Sequence, residues 1–246
     1  MKSTTKQAIK QILGMVKMAF KCNNELPNSK TGASRIEYRL PFEGAWTVFN
    51  GGIDEETSHS WDVWTQRYAY DFVITDARGA TYSGEVQDMQ SYYCYGKYVL
   101  APARGVVVEA RDCDPDTPPA LDGRVDCAGD DIRGNYVLIR HSDSEFSCLA
   151  HLAPGSVAVR PGDCVECGQR IGRCGSSGNS SEPHLHFHVQ AGQSFYSSPG
   201  VPIRFSEVLA EPVASYEKID SRPQPNNPLA DFPPYLTRGL RVRNCD

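Results

Sequence analysis

The sequence predicts a mainly β fold with one short helix at its N-terminus. Three observations carry that prediction. Glycine, proline and tyrosine supply 21, 17 and 12 of the 246 residues, which favours many short strands and turns over a helical bundle. Runs of β-branched and aromatic residues recur at short intervals between Gly, Pro, Asn and Asp clusters. No heptad, helical repeat or solenoid period is present. The length suits one large domain, or one domain with extensions, and is enough to bury a substantial core.

Taken in order, residues 1–34 form a polar lead-in with a helix. In MKSTTKQAIKQILGMVKMAFK, Ile9, Ile12, Leu13, Val16 and Phe20 recur at helical spacing among lysines. Lys10 and Lys17 interrupt the apolar core that a secretory signal needs, and no Ala-x-Ala follows. The expectation is a short amphipathic helix that docks on the domain or on a partner, with a surface-associating segment as the alternative. IEYRLPFEGAWTVFNGG then reads as strand, closed by a turn at Gly51–Gly52. RYAYDFVI (67–74) is dense in β-formers and reads as a buried strand. KYVLAPARGVVVEAR (97–111) is strand, turn, strand; residues 112–131 are a turn-rich loop. NYVLIRHS and FSCLAHL are two strands joined as a hairpin. SVAVRPGDCVECGQRIGRCG gives two short runs about Arg-Pro-Gly-Asp, and PHLHFHVQ reads as a strand. PIRFSEVLA follows as a short segment. From Glu211 the composition turns Pro-, Asn- and Ser-rich, with a last strand expected in YLTRGLRVRN. The boundaries are therefore a helical extension over 1–34, a domain over 35–210, and a Pro-rich extension over 211–246 that packs on it.

Composition narrows the function. The net charge of −5 and the lack of a basic run argue against general nucleic-acid binding. No apolar stretch approaches the ~20 residues of a membrane span. Nine cysteines, an odd number, with no export signal, fit a reducing, cytoplasmic setting, with a cell-wall or extracellular location by non-classical export as the alternative. Cys164, Cys167 and Cys174 could form a structural zinc site, but only three thiols are local. Cys113 and Cys127 flank a loop and could pair in an oxidising setting.

The chemistry centres on GNSSEPHLHFHVQ, with His184, His186 and His188 at alternate positions. In a strand these share a face, and neighbours stand ~6.6 Å apart. That is too far for all three to hold one ion. It suits one histidine on a metal with a neighbour beside it; a polar face on an exposed strand is the alternative reading. His59, His151 and Asp71 are the other candidates. Two histidines and a carboxylate would leave zinc a fourth position for water. There is no His-Glu-x-x-His and no Gly-x-Ser-x-Gly, so helix-borne zinc proteases and serine hydrolase elbows lack support, and no cysteine has a nucleophile signature.

The run Gly134–Val189 resembles the M23 family of zinc metallopeptidases, the lysostaphin/LytM type. It carries, in the family's order, Gly-Asn-Tyr-Val, a Leu-Ala-His-Leu strand, a Val-x-x-Gly-Asp-x-Val hairpin, Gly-Ser-Ser-Gly and Pro-His-Leu-His-Phe. YVLAPARGVVVEA is similar to the strand pair upstream of it. The resemblance implies an antiparallel β-sheet or sandwich scaffold whose loops wall a narrow groove with zinc at its floor. It implies one zinc ion per chain on His59, Asp71 and His186, with His151 and His184 as catalytic histidines. His188 sits where relatives carry Glu or Gln and is read as a supporting or surface residue; His141 is read as a solvated turn residue. One departure stands out. The family commonly spaces its first ligands His-x3-Asp, whereas residue 63 is Val; Asp71 is favoured for its strand context over Asp62. The implied activity is endopeptidase cleavage of small-residue peptide bonds, peptidoglycan cross-links foremost. The alternatives are a peptidase for another peptide and a non-catalytic, regulatory module of the same fold. GDCVECGQRIG also resembles lipoyl and biotinyl hairpins, but no lysine follows it to carry the group.

Overall fold

The structure, a computed structural model, describes residues 3–21, 26–119, 131–214 and 216–245. Helix α1 spans Ser3–Lys21. The strands are Glu37–Tyr38 (β1), Trp46–Asn50 (β2), Tyr70–Val73 (β3), Tyr98–Leu100 (β4), Gly105–Arg111 (β5), Asn135–Ser142 (β6) and Glu145–Leu152 (β7). They continue as Cys164–Val165 (β8), Arg170–Arg173 (β9), Leu185–Gln190 (β10), Gly200–Val201 (β11), Arg204–Phe205 (β12), Val208–Pro212 (β13) and Leu240–Asn244 (β14).

Ten strands form one sheet in the order β13-β14-β2-β3-β10-β7-β6-β5-β8, with β11 paired to the end of β10 beyond β3. Its pairings are antiparallel, as expected of strands joined by short hairpins. The hairpin β6–β7 turns at residues 143–144, inside the predicted His-Ser-Asp-Ser-Glu segment. β4 pairs with β9, and β1 runs parallel to β12. The C-terminal segment shares in the main sheet, since β14 bonds to β2 and carries β13 at the edge.

The two faces of this sheet differ. One buries the main core, where Leu185, Phe187 and Val189 of β10 meet Leu149, Val137 and Ile139 of β7 and β6 and Tyr70 and Phe72 of β3. Each such side chain contributes roughly 1.5–3 kcal/mol by leaving water. The other face has a smaller cluster of Tyr136, Leu138, Phe146, Cys148 and Ala150. Beside it lie the histidines.

Helix α1 docks on the body, but not through its apolar stripe. Ile9, Ile12, Leu13, Val16 and Phe20 are exposed, whereas Met18 is buried. A Cβ at Gly14 would stand 1.7 Å from the Tyr196 carbonyl oxygen, so only glycine permits this approach. Gln11 reaches Thr65, and the Lys10 ammonium lies over the Tyr196 ring.

Candidate active site

Alternation along β10 sorts its side chains. Leu185, Phe187 and Val189 face the core, so His186, His188 and Gln190 take the opposite face. β3 follows the same rule: Tyr70 and Phe72 enter the core, and Asp71 turns to the other side. The register sets Asp71 directly opposite His186. The result is a contact of 2.9 Å between His186 Nδ1 and Asp71 Oδ1.

His151 breaks the pattern. Strict alternation would place it on the core face with Leu149. Between the pairs Asn135–Leu152 and Val137–Leu149, however, β7 has two residues where β6 has one. This β-bulge re-aims the His151 ring into the site. The residue has φ of 60°, in the left-handed region, which costs a non-glycine residue about 1–3 kcal/mol. Three bonds hold it there. Its N–H donates to Arg133 O at 3.0 Å, its carbonyl accepts from Gly175 N at 3.0 Å, and its ring Nδ1–H donates to Ser177 O at 2.8 Å. The turn that presents the Ser177 carbonyl depends on Gly178, whose Cβ would lie 2.3 Å from Gly134 N and whose φ is +77°. A second bulge, in β2 between Val48 and Asn50, brings Asn50 opposite Asp71. Its amide donates to Asp71 Oδ2 at 2.8 Å.

His59 arrives from the loop between β2 and β3, its Nε2 lying 3.4 Å from Asp71 Oδ2. His184 precedes β10 and sets its Nε2 3.6 Å from Asp71 Oδ1. Its ring centroid is 4.7 Å from that of His151, which in turn is 5.6 Å from that of His186. All five residues singled out in the sequence therefore meet at one place. Asp62 is exposed and does not join them.

The electrostatics follow from crowding. Burial opposes ionisation of Asp71, but the charges of His59, His184 and His186 and the His186 hydrogen bond outweigh it and hold the carboxyl well below its usual range. Burial lowers His59, against the opposing pull of Asp71. Burial, reinforced by His184 and His186, holds His151 well below the ordinary imidazole value, so its ring is neutral.

A chain of hydrogen bonds then fixes the His186 tautomer. Gln190 Nε2 donates to Gly192 O at 2.6 Å, which leaves its Oε1 as an acceptor. His188 Nε2–H donates to that oxygen at 3.0 Å. Burial pushes His188 down to about 3, so its ring is neutral and Nδ1 is an acceptor. His186 Nε2–H therefore donates to His188 Nδ1 at 3.0 Å. The remaining Nδ1 lone pair of His186 faces the Asp71 carboxylate. Two acceptors so placed call for a cation between them, either a proton that makes the imidazolium or a metal ion.

Among the described residues no three His, Cys, Asp or Glu side chains stand in a ready-made metal-holding arrangement. The donor set still fits zinc in its chemistry: two imidazoles and an ionised carboxylate, with one imidazole oriented from behind by His188. The cysteines do not gather. Cys164 and Cys167 are exposed, whereas Cys174 is buried against Cys94. Cys113 is exposed, and its suggested partner Cys127 lies outside the described residues, as does Cys22.

Of the two roles expected of His188, supporting or surface, the structure gives the first: it is buried behind His186, with Phe195 packed against its ring. One histidine reading needs correction. His141 is not a solvated turn residue. It ends β6 half-buried, with Nδ1–H donating to Arg104 O at 2.8 Å and Nε2 accepting from Ser147 Oγ at 2.7 Å. Sequence reasoning also missed Asn50 and Arg222. The Arg222 guanidinium donates to Asn50 Oδ1 at 2.7 Å, so the C-terminal segment steadies the residue that steadies Asp71. The Gly51–Gly52 pair beside Asn50 was the one local sign of an irregular strand end.

Two cavities of about 410 and 420 Å3 open on either side of the cluster. They share Asn50, Asp71, Ser181 and His184, so the site lies in a groove with two arms. The first arm passes Gln11 of α1 and Arg133; the second runs between Phe49, Tyr82, Glu182 and Ile219.

Peptidase family M23 matches residues 87–197, a stretch that contains His151, His184 and His186 while His59 and Asp71 lie upstream. Peptidoglycan DD-endopeptidase ShyA of Vibrio cholerae is 39% identical over 56 residues, 23% of this chain and 13% of that protein. Murein hydrolase activator NlpD of Escherichia coli is 41% identical over 71 residues, 28% of this chain and 18% of that protein. The chain thus spans under a quarter of the length of these relatives. The catalytic domain of lysostaphin from Staphylococcus simulans aligns over 64% of this chain and 88% of its own, with 21% identity and a TM-score of 0.36. The ordered motifs, the gathered histidines and the family match lead to one statement: the chain carries an M23-type domain.

Proposed function

We propose that the protein is a zinc-dependent endopeptidase that cuts small-residue peptide bonds, with peptidoglycan cross-links as its substrate class. The observation that carries this reading is the His186 tautomer: His188 and Gln190 leave its Nδ1 lone pair facing Asp71, with His59 alongside. His59, Asp71 and His186 would hold the metal. Zinc there would supply Lewis acidity and a water that ionises near neutral pH.

The chain's own groups do the rest. His151 is neutral, and its Nδ1–H is committed to Ser177 O, so Nε2 carries the lone pair that would take a proton from the attacking water. The same atom can pass that proton to the departing amine. His184 donates Nδ1–H to Glu182 O at 2.8 Å, which orients its Nε2 toward the Asp71 side of the groove. As an imidazolium it would donate from Nε2 to the substrate oxygen as negative charge develops there. The two-armed groove would hold an extended chain across these rings. The names of the relatives, a peptidoglycan endopeptidase and a murein hydrolase activator, support a wall substrate.

The activator name also favours a second reading, a regulatory module without turnover. Mass spectrometry of purified peptidoglycan digested by zinc-loaded protein separates the two, with His151→Ala as control. New peptide ends produced only by the wild type are the expected result. Absence of new ends from zinc-loaded protein would overturn the wall endopeptidase reading in favour of the module.

A further inference from the structure

The buried and half-buried carboxylates Asp71, Asp131, Glu145 and Asp220 come with strong partners, and half-buried Glu182 has the weakest set. Asp131 is paired with Arg133 at 2.7 Å, and Asp220 with Arg222. Glu145 accepts from the Arg35 and Ile36 N–H groups and from the Tyr38 hydroxyl. Asp71 has its imidazoles. Glu182 lines the second arm of the groove with a single side-chain bond, from Thr81 Oγ1 to its Oε2 at 3.2 Å. Among the described residues the only charged neighbour it feels is His184, and no lysine or arginine reaches it. A half-buried carboxylate with only an imidazole nearby and no lysine or arginine beside it keeps acceptor capacity for a cation entering the groove.

Its position is nevertheless well fixed. The Glu182 backbone carbonyl accepts from Ser180 Oγ at 2.6 Å and from His184 Nδ1 at 2.8 Å, so the residue is tied to the histidine beside the reaction centre. Phe49, Val73 and Ile219 give this arm apolar walls, against which an aliphatic stem can lie.

Resting on the peptidase reading, we propose that Glu182 is the recognition residue of a subsite for a substrate group ending in a primary ammonium. The walls favour an ammonium on an aliphatic stem: Phe49, Val73 and Ile219 pack along apolar chain, and Glu182 with the Thr81 hydroxyl offers a compact set of acceptors at its end. A neutral or acidic side chain in this arm would leave the carboxylate unpaired. Such substrates are therefore discriminated against.

The test uses zinc-loaded protein and matched glycine/alanine peptides. One set carries lysine or its uncharged isostere norleucine at each position flanking the scissile bond, with a blocked N-terminus. A second set has free or acetylated N-termini, which distinguishes a side-chain amine from an α-amine. At one position the amine should raise kcat/KM by about tenfold or more. Glu182→Gln should bring that ratio close to one, and Glu182→Lys should reverse it in favour of the norleucine peptide. Equal cleavage of every matched pair by the wild type would overturn the Glu182 assignment and leave the peptidase reading standing. Failure to cut any peptide would overturn both. The wild-type ratio decides the matter by itself should the variants fold poorly.

Discussion

The two faces of β10 make different demands on the same six residues. On one, Leu185, Phe187 and Val189 are fully buried among apolar neighbours, and shape is what counts. On the other, His186, His188 and Gln190 are nearly as buried, yet every ring nitrogen and amide has a directed partner. The core face is non-directional and tolerates volume-conserving changes. The polar face is a one-way chain of donors that ends at His186 Nδ1, which faces the Asp71 carboxylate. Removing any link alters the last atom, because a buried polar network is only as good as its weakest connection. Equal burial thus serves stability on one side and orientation on the other.

This contrast can be broken deliberately. The largest effect belongs to His186→Ala, which should abolish tight zinc binding; wild-type stoichiometry by metal analysis would remove His186 from the ligand set. Next is His151→Ala, expected to retain zinc while lowering turnover by about 10^2–10^4-fold. Near-normal rates would show that the bulge in β7 serves only the backbone. Phe187→Ala lies one residue away on the opposite face and should cost about 3–5 kcal/mol of stability in denaturant titration. Zinc affinity of the folded fraction should hardly change. His188→Ala breaks the chain behind His186 and should weaken zinc binding by about 10–100-fold. An unchanged affinity would mean that Nδ1 of His186 needs no support from behind.

Much of this was legible in the sequence, and the remainder was not for identifiable reasons. The strands announced themselves through β-branched and aromatic runs, and the His184, His186, His188 alternation fixed which side chains share a face. The bulge that carries His151 into the site was invisible, because an extra residue in one strand shows only against its partner's register. Asn50 and Arg222 lie 172 positions apart in the chain, and no local pattern links them. For α1 the helical period was correct, but period alone does not say which side meets the protein. Gly14 and Met18 do, and the apolar stripe faces outward.

The central claim is that the polar face of the sheet is built to hold a metal through His59, Asp71 and His186. The most direct test is X-ray absorption spectroscopy of zinc-loaded protein beside metal analysis of the His186→Ala variant. The account predicts one zinc per chain with a nitrogen and oxygen shell, two imidazoles among its ligands, and no tight zinc in the variant. A sulfur shell, or full zinc content in His186→Ala, would place the metal elsewhere and contradict it.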